Sequence, residues 1–350
     1  MSDLEKKQLV QQVVTDVGGA FVTGMGYIGD RLGLFKLLAG RGPVTSGAFA
    51  DAAGLDERYV REWLKAMVSA GYVEHDAAAG EYFMSADQRA VLADEGSPVF
   101  AAGAFQFALP SLALTNRLIA CFHLGGGIPY SELDEEIPQS IDRMHRAWFD
   151  YQLTGTWLPA AGDLDRRLRD GVRVLDVGCG GGRASVAVAR RYPESRVVGI
   201  DPYGPSIEAA RRLAAECSAE NAVFRESTLE ALAPSERFDL VLAIDCIHDM
   251  RDPVGALRTI RGALAPGGVL FWSEPTGSHD PVQNRNPPGR MRAALSAYHC
   301  LTVSLAEGGA GLGTIIGEAG ARALASQAGF PRFEALDIPS AMQQFFLASG

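Results

Sequence analysis

The chain has 350 residues, of which 47% are hydrophobic and 21% charged, the balance of an ordinary folded protein rather than a disordered or fibrous one. That length exceeds the roughly 250–300 residues at which a single core stops growing, so two or more domains are expected. A formal charge of −10 opposes both nucleic acid and anionic membranes, which call for a basic footprint, and no window approaches the ~18 apolar residues of a membrane span. The expectation is a cytoplasmic protein with a small-molecule partner.

Residues 1–40 carry apolar side chains at helical spacing (Leu9, Val13, Val14, Val17, Phe21, Met25, Ile28) interrupted by Gly18-Gly19, which predicts two helices with a bend. Thr45-Ser46 opens a helix ended by Gly54, and Asp56 caps another from Arg58 to Ala70, stopped by Gly71. The runs Tyr72–Glu74 and Glu81–Met84 flank a turn, as a hairpin would. Helix, turn, helix and wing make a winged-helix domain within residues 1–95. Between Leu55 and Glu74, however, Arg58, Arg61 and Lys65 face Asp56, Glu57, Glu62 and Glu74, where phosphate binding wants an excess of cations. Dimerisation through this domain, giving a homodimer, is the preferred reading over DNA contact. Residues 96–165 form a helical connector broken at Pro110, Gly125–Gly127 and Pro138, with Arg117, His123, Arg143, His145 and Arg146 mostly on solvated faces. The five cysteines are an odd number without a C-x-x-C pair, which suits a reducing compartment and not a disulfide framework.

From residue 166 the pattern becomes buried strands (Arg173–Val177, Arg196–Ile200, Ala222–Phe224, Phe238–Ile244, Val269–Glu274) alternating with helices at about 183–192, 205–218 and 253–265. Such alternation implies an α/β fold with a parallel sheet and a ligand at the strands' carboxyl ends. The first strand runs into Asp176-Val177-Gly178-Cys179-Gly180-Gly181-Gly182-Arg183. G-x-G-x-G is satisfied, whereas the G-x-G-x-x-G of dinucleotide sites is broken by Arg183. Asp176 would repel a pyrophosphate and suits a cation. Asp201 ends the second strand 23 residues after Gly178, where a carboxylate can accept both ribose hydroxyls.

These motifs, with Phe238–Ile244 and Leu264–Gly268, resemble the class I S-adenosylmethionine-dependent methyltransferases. The resemblance implies a Rossmann-like domain over 166–350 following the all-helical and winged-helix N-terminal domain. It also implies S-adenosylmethionine as cofactor, with Gly178 and Gly180 under its methionine portion, Asp176 near its ammonium and Asp201 on its ribose. Thr228 stands where the family often has an adenine-binding aspartate, and Asp245, ending the fourth strand, is placed with the cofactor-binding residues.

After that strand comes Asp245-Cys246-Ile247-His248-Asp249-Met250. A histidine beside the methyl donor can serve as general base or as metal ligand. The run is similar to that of small-molecule O-methyltransferases and, over the whole chain, to bacterial α-keto acid C-methyltransferases, whose second histidine matches His299. His299 lies on a helix expected from Arg290 to Leu305, within an insertion at about 280–313. The resemblance implies His248, Asp249 and His299 as catalytic residues, with His248 and His299 holding iron or zinc. The metal would stabilise the enolate of an α-keto acid as a Lewis acid, in secondary metabolism including antibiotic biosynthesis. The alternative is a metal-free O- or N-methyltransferase with His248 as base, and a third reading is a donor-sensing winged-helix regulator. The substrate pocket is expected from the connector, the insertion and Met342–Phe346.

Overall fold

Ser2 accepts the Glu5 amide while Glu5 returns a bond to the Ser2 amide, so the chain begins with a capping box, in a computed structural model that describes residues 2–350. From this cap α1 (Asp3–Arg31) runs unbroken for 29 residues, through Gly18-Gly19 where a bend was expected. A glycine in a helix costs only about 1 kcal/mol against alanine, less than the loss of a long helix. Then follow α2 (Leu34–Ala39), β1 (Val44–Thr45), α3 (Ser46–Ala53), α4 (Glu57–Ser69), β2 (Glu74–Asp76), β3 (Glu81–Phe83) and α5 (Ala86–Leu92). Thr45 and Asp56 are the caps of α3 and α4, as their side chains dictate. The wing gains a third strand, in the order β1-β3-β2. Leu34, Phe35, Phe49, Trp63 and Met67 are its buried centre.

The segment expected to be a separate connector is divided between two compact units: residues 2–113 with 134–147, and residues 114–133 with 148–350. It comprises α6 (Gly103–Ala113), α7 (Thr115–Leu124), α8 (Glu136–Ala147), a π-helical stretch Trp148–Trp157, α9 (Leu158–Ala160) and α10 (Leu164–Asp170). Neither proline breaks its helix. Pro138 lies in the first turn of α8, where amides have no intrahelical partner anyway. Pro110 lies within α6, where the neighbouring Ser111 hydroxyl donates to the Phe107 carbonyl. Arg143 is not on a solvated face: its guanidinium reaches Asp30, Gln106 and Glu95.

The second unit holds the sheet: β4 (Arg173–Val177), α11 (Arg183–Arg191), β5 (Arg196–Asp201), α12 (Gly204–Glu216), β6 (Ala222–Glu226), β7 (Phe238–Ile244), α13 (Pro253–Ala263), β8 (Leu264–Pro275), α14 (Pro287–Tyr298), α15 (Cys300–Ala306), α16 (Gly317–Gln327), β9 (Arg332–Leu336) and β10 (Gln343–Ser349). The order is β6-β5-β4-β7-β8-β10-β9. The first five strands are parallel, and β10 is antiparallel to both of its neighbours. Along β4 and β7 the side chains alternate between two buried layers, Val174, Leu240 and Leu242 in one, Leu175, Val177, Val241 and Ala243 in the other, as strand geometry requires. The mixed sheet corrects the all-parallel expectation. It also corrects the assignment of Met342–Phe346 to a pocket, because Phe345 and Phe346 are core residues of β10, each 1% exposed. No single helix among the described residues is long and apolar enough to cross a membrane.

Candidate active site at the strand ends

Four parallel strands deliver the predicted site residues to one edge of the sheet. Behind β4, Gly178, Gly180 and Gly182 all have left-handed φ (66°, 50° and 76°), a conformation that disfavours side chains. At Gly182 a Cβ would also lie 2.6 Å from the Ala210 Cβ, whereas at Gly180 it would meet open space. The first glycine lets helix and strand close up, and the second leaves room for a ligand. Asp201 is tied into the loop: its carboxylate accepts the Gly180 amide at 3.0 Å and the Tyr203 amide at 2.9 Å. Burial raises its pKa against those two amides. The backbone of Ser227, beside Thr228, donates to the Asp201 carbonyl, and Thr228 itself is exposed and caps a short turn.

Asp176 is 2% exposed and accepts the Ser185 hydroxyl at 2.6 Å. Burial pushes its pKa up to about 7, with Ser185 resisting. Asp245, at the end of β7, adopts φ 58°, a region costing about 1–3 kcal/mol for a non-glycine residue and concentrated at functional sites. Next to it, Cys246 packs against Gly178 and donates its thiol to the Val177 carbonyl at 3.2 Å.

His248 is 2% exposed, and its Nδ1 lies 2.5 Å from Oε2 of Glu274 at the end of β8. Glu274 is fully buried, and its other oxygen accepts Trp272 Nε1 at 2.6 Å. The histidine's Nε2 is 3.3 Å from Asp249. Burial disfavours the imidazolium, but Asp249 and Glu274 outweigh it and hold the His248 pKa well above the usual value. Sequence reasoning missed Glu274 as a site residue, although an acid closing the fifth strand was visible.

His299 is not within a helix from Arg290 to Leu305 but at a break (φ −136°, ψ −84°) between α14 and α15. Its pKa is lowered by burial and by His248, with Asp249 opposing. The metal expectation does not fit this geometry. Among the described residues, the groupings compact enough for an ion are His248–Asp249–Cys300 and Asp245–His248–Glu274, and neither includes His299. Within these groupings His248 Nδ1 faces Glu274, and the Cys300 thiol accepts the Thr314 hydroxyl.

In the N-terminal unit each basic residue of α4 is paired on the helix itself, Arg58 and Lys65 sharing Glu62 and Arg61 meeting Glu57.

With this geometry in hand, the comparisons are specific. Residues 168–320 match a family model described as a methyltransferase domain, and residues 20–94 one described as an Rv2258c-like winged HTH domain. The chain is 37% identical over 134 residues to the ubiquinone biosynthesis O-methyltransferase of Alkalilimnicola ehrlichii, covering 38% of this chain and 50% of that one. It spans about half the length of the curated relatives it matches. Over nearly the whole chain the fold is similar to human N-acetylserotonin methyltransferase in complex with S-adenosylmethionine (TM-score 0.73, 18% identity, 98% of this chain and 97% of that one). It is similar also to the mitomycin 7-O-methyltransferase MmcR (TM-score 0.74, 19% identity, 99% and 100%).

The buried carboxylate of β4 generates a prediction. With its folded pKa near 7 and an ordinary unfolded value near 3.9, Asp176 binds its proton more tightly in the folded state. Ligand-free stability therefore falls as pH rises from about 4 to 7. Asp176→Asn removes that loss: it melts with wild type at pH 4 and above it at pH 8, by up to about 4 kcal/mol. Thermal unfolding at both pH values checks this, and parallel melting curves would contradict it. The chain thus carries a class I methyltransferase domain, preceded in sequence by a winged-helix domain, and resembles O-methyltransferases.

Proposed function

We propose that this protein is an S-adenosylmethionine-dependent methyltransferase that methylates a hydroxyl oxygen of a small molecule, with His248 as general base. The observation that carries this reading is the His248 Nδ1 contact with buried Glu274. A carboxylate on one ring nitrogen fixes the tautomer and the ring orientation and leaves Nε2 to take a proton, the logic of an oriented base. The methyl donor supplies an electrophilic methyl on a sulfonium. Gly180 gives it backbone clearance, Asp176 accepts its ammonium, and Asp201 and Thr228 receive its ribose and base. Asp249 and Asp245 keep the surroundings negative. At the acceptor, His248 Nε2 removes the hydroxyl proton as the oxygen attacks the methyl carbon. The proton then stays on the ring, stabilised by Glu274 and Asp249.

The named relatives are O-methyltransferases, which supports oxygen over the keto-acid carbon. That carbon is reached only after enolate formation, for which His248 and His299 would have to hold a metal together, and no compact donor grouping among the described residues contains both. The acids interleaved with the basic residues of α4, each of which is paired on the helix itself, speak against the regulator reading.

The second part of the proposal is a homodimer through the N-terminal domain. Leu9, Val10, Val13, Val14, Val17 and Phe21 of α1 are each more than half exposed, an apolar stripe that a second copy can cover.

Four outcomes are expected. His248→Ala lowers kcat by 10²–10⁴-fold, the usual contribution of a general base, with affinity for S-adenosylhomocysteine unchanged by calorimetry. The wild-type kcat/KM climbs with pH above neutrality, because the raised His248 pKa must be passed before the base is free. Glu274→Gln withdraws a carboxylate and moves that limb to lower pH while slowing the reaction. A limb unmoved by Glu274→Gln would remove the oriented-base mechanism, and loss of activity with a chelator would restore the metal reading. In light scattering the wild type has twice the chain mass, and Val13→Lys with Phe21→Lys shifts it toward one chain; a monomeric wild type would end the dimer proposal.

A further inference from the structure

The small segment between α7 and α8 carries a tyrosine that the mechanism above does not use. Tyr130 stands edge-on between two rings. Its centroid is 5.4 Å from that of Tyr203 at an interplanar angle of 81°, and 6.2 Å from that of His299 at 65°. Tyr203 follows Asp201 at the end of β5 and donates its amide to that carboxylate, while His299 stands on the insertion near Asp249. One ring therefore spans from the carboxylate assigned to the ribose to the imidazole side of the chemistry, and edge-to-face contacts of this kind stabilise a fixed arrangement. The phenol is largely buried and feels both Asp201 and Asp249, which with burial raise its pKa.

The strap that holds it is built, not loose. The Ile128 amide donates to the Thr302 hydroxyl at 2.8 Å and to its carbonyl at 3.2 Å, and Ile128 is 1% exposed in a cluster with Leu114 and Leu118. Gly127 runs so close to α15 that a Cβ there would collide with the Thr302 carbonyl oxygen. Beyond Tyr130, Glu132 is held by Arg117. The tyrosine is thus clamped on both sides.

We infer that Tyr130 is a positioning residue of the methyl-donor site: its ring closes the gap between Tyr203 and His299 and retains the bound donor, a role that rests on the methyltransferase reading above. Because it acts as a ring, its hydroxyl is dispensable. Retention predicts an effect on donor affinity and release rather than on the chemical step.

The test is calorimetric titration of S-adenosylhomocysteine into wild type, Tyr130→Phe, Tyr130→Ala and Gly127→Ala, with donor KM and kcat measured for each. Tyr130→Phe is expected to bind as wild type does. Tyr130→Ala is expected to melt lower but stay folded at the assay temperature, to bind about tenfold more weakly, and to show a donor KM raised by a similar factor with kcat within about twofold. Gly127→Ala keeps the tyrosine side chain but shifts the strap that positions it, and is expected to weaken binding in the same direction. Wild type binding the ligand while Tyr130→Ala binds within twofold of it overturns the inference. Equal losses in Tyr130→Phe and Tyr130→Ala also overturn it, since the hydroxyl would then be the acting group. A wild type that binds no ligand overturns the methyltransferase reading itself, and this inference with it.

Discussion

The contact between His248 and Glu274 is the constraint around which the catalytic edge of this protein is arranged. Neither group is exposed to water, and a lone buried charge is expensive enough that it must be paired. The pairing is secured by strand register. Glu274 is the second-last residue of β8, held between β7, where Ile244 stands opposite Ser273, and β10, where Gln344 stands opposite Glu274 itself. Trp272 occupies the remaining carboxylate oxygen. A one-residue slip in β8 would turn the carboxylate to the other face and leave His248 without it, so the pairing of β10 along β8 helps to fix the contact.

The same edge collects Asp176, Asp201, Asp245 and Asp249. Carboxylates gathered at partly buried positions repel one another, and the upward shifts at Asp176 and Asp201 record that burial disfavours their ionised forms. An empty site of this kind is therefore less stable than its sequence could make it. That cost is tolerated where a cation completes the arrangement, as a positively charged sulfonium and its ammonium group would. Strained backbone at Asp245 and three left-handed glycines in one turn belong to the same pattern of local stability given up for a shaped pocket.

What could be read from the sequence was what lies close together along it. The turn Gly178–Gly182, the acid at Asp201 and the run Asp245–Asp249 announce themselves because each is a few consecutive residues with a fixed relation to a strand end. The caps Thr45 and Asp56 were legible for the same reason. Glu274 was not, because its importance depends on which strand lies beside β7, and Tyr130 was not, because it reaches the site from a segment more than forty residues before the first strand of the sheet. The final strands were missed since β10 enters between β8 and β9 against the chain direction, which no periodicity encodes. At α1 and α6 the error ran the other way. Glycine and proline were read as breaks, yet a length of well-formed helix outweighs one weak residue, and the helix at His299 breaks without either.

The two histidines show how placement decides role. Both are close to Asp249, yet their pKa values move apart, His248 upward and His299 downward. At His248 the effect of Asp249 is joined by Glu274 and Cys300, whereas at His299 burial is joined by the charge of His248. Flanked by two carboxylates, His248 holds a proton more tightly than His299 does. His299 sees one carboxylate and the charge of its neighbour, and burial together with that charge disfavours its protonation. Environments that push two titratable groups apart in this way give neighbouring side chains different protonation behaviour, and under the proposed mechanism the histidine oriented by the strand register is the one that would take the proton.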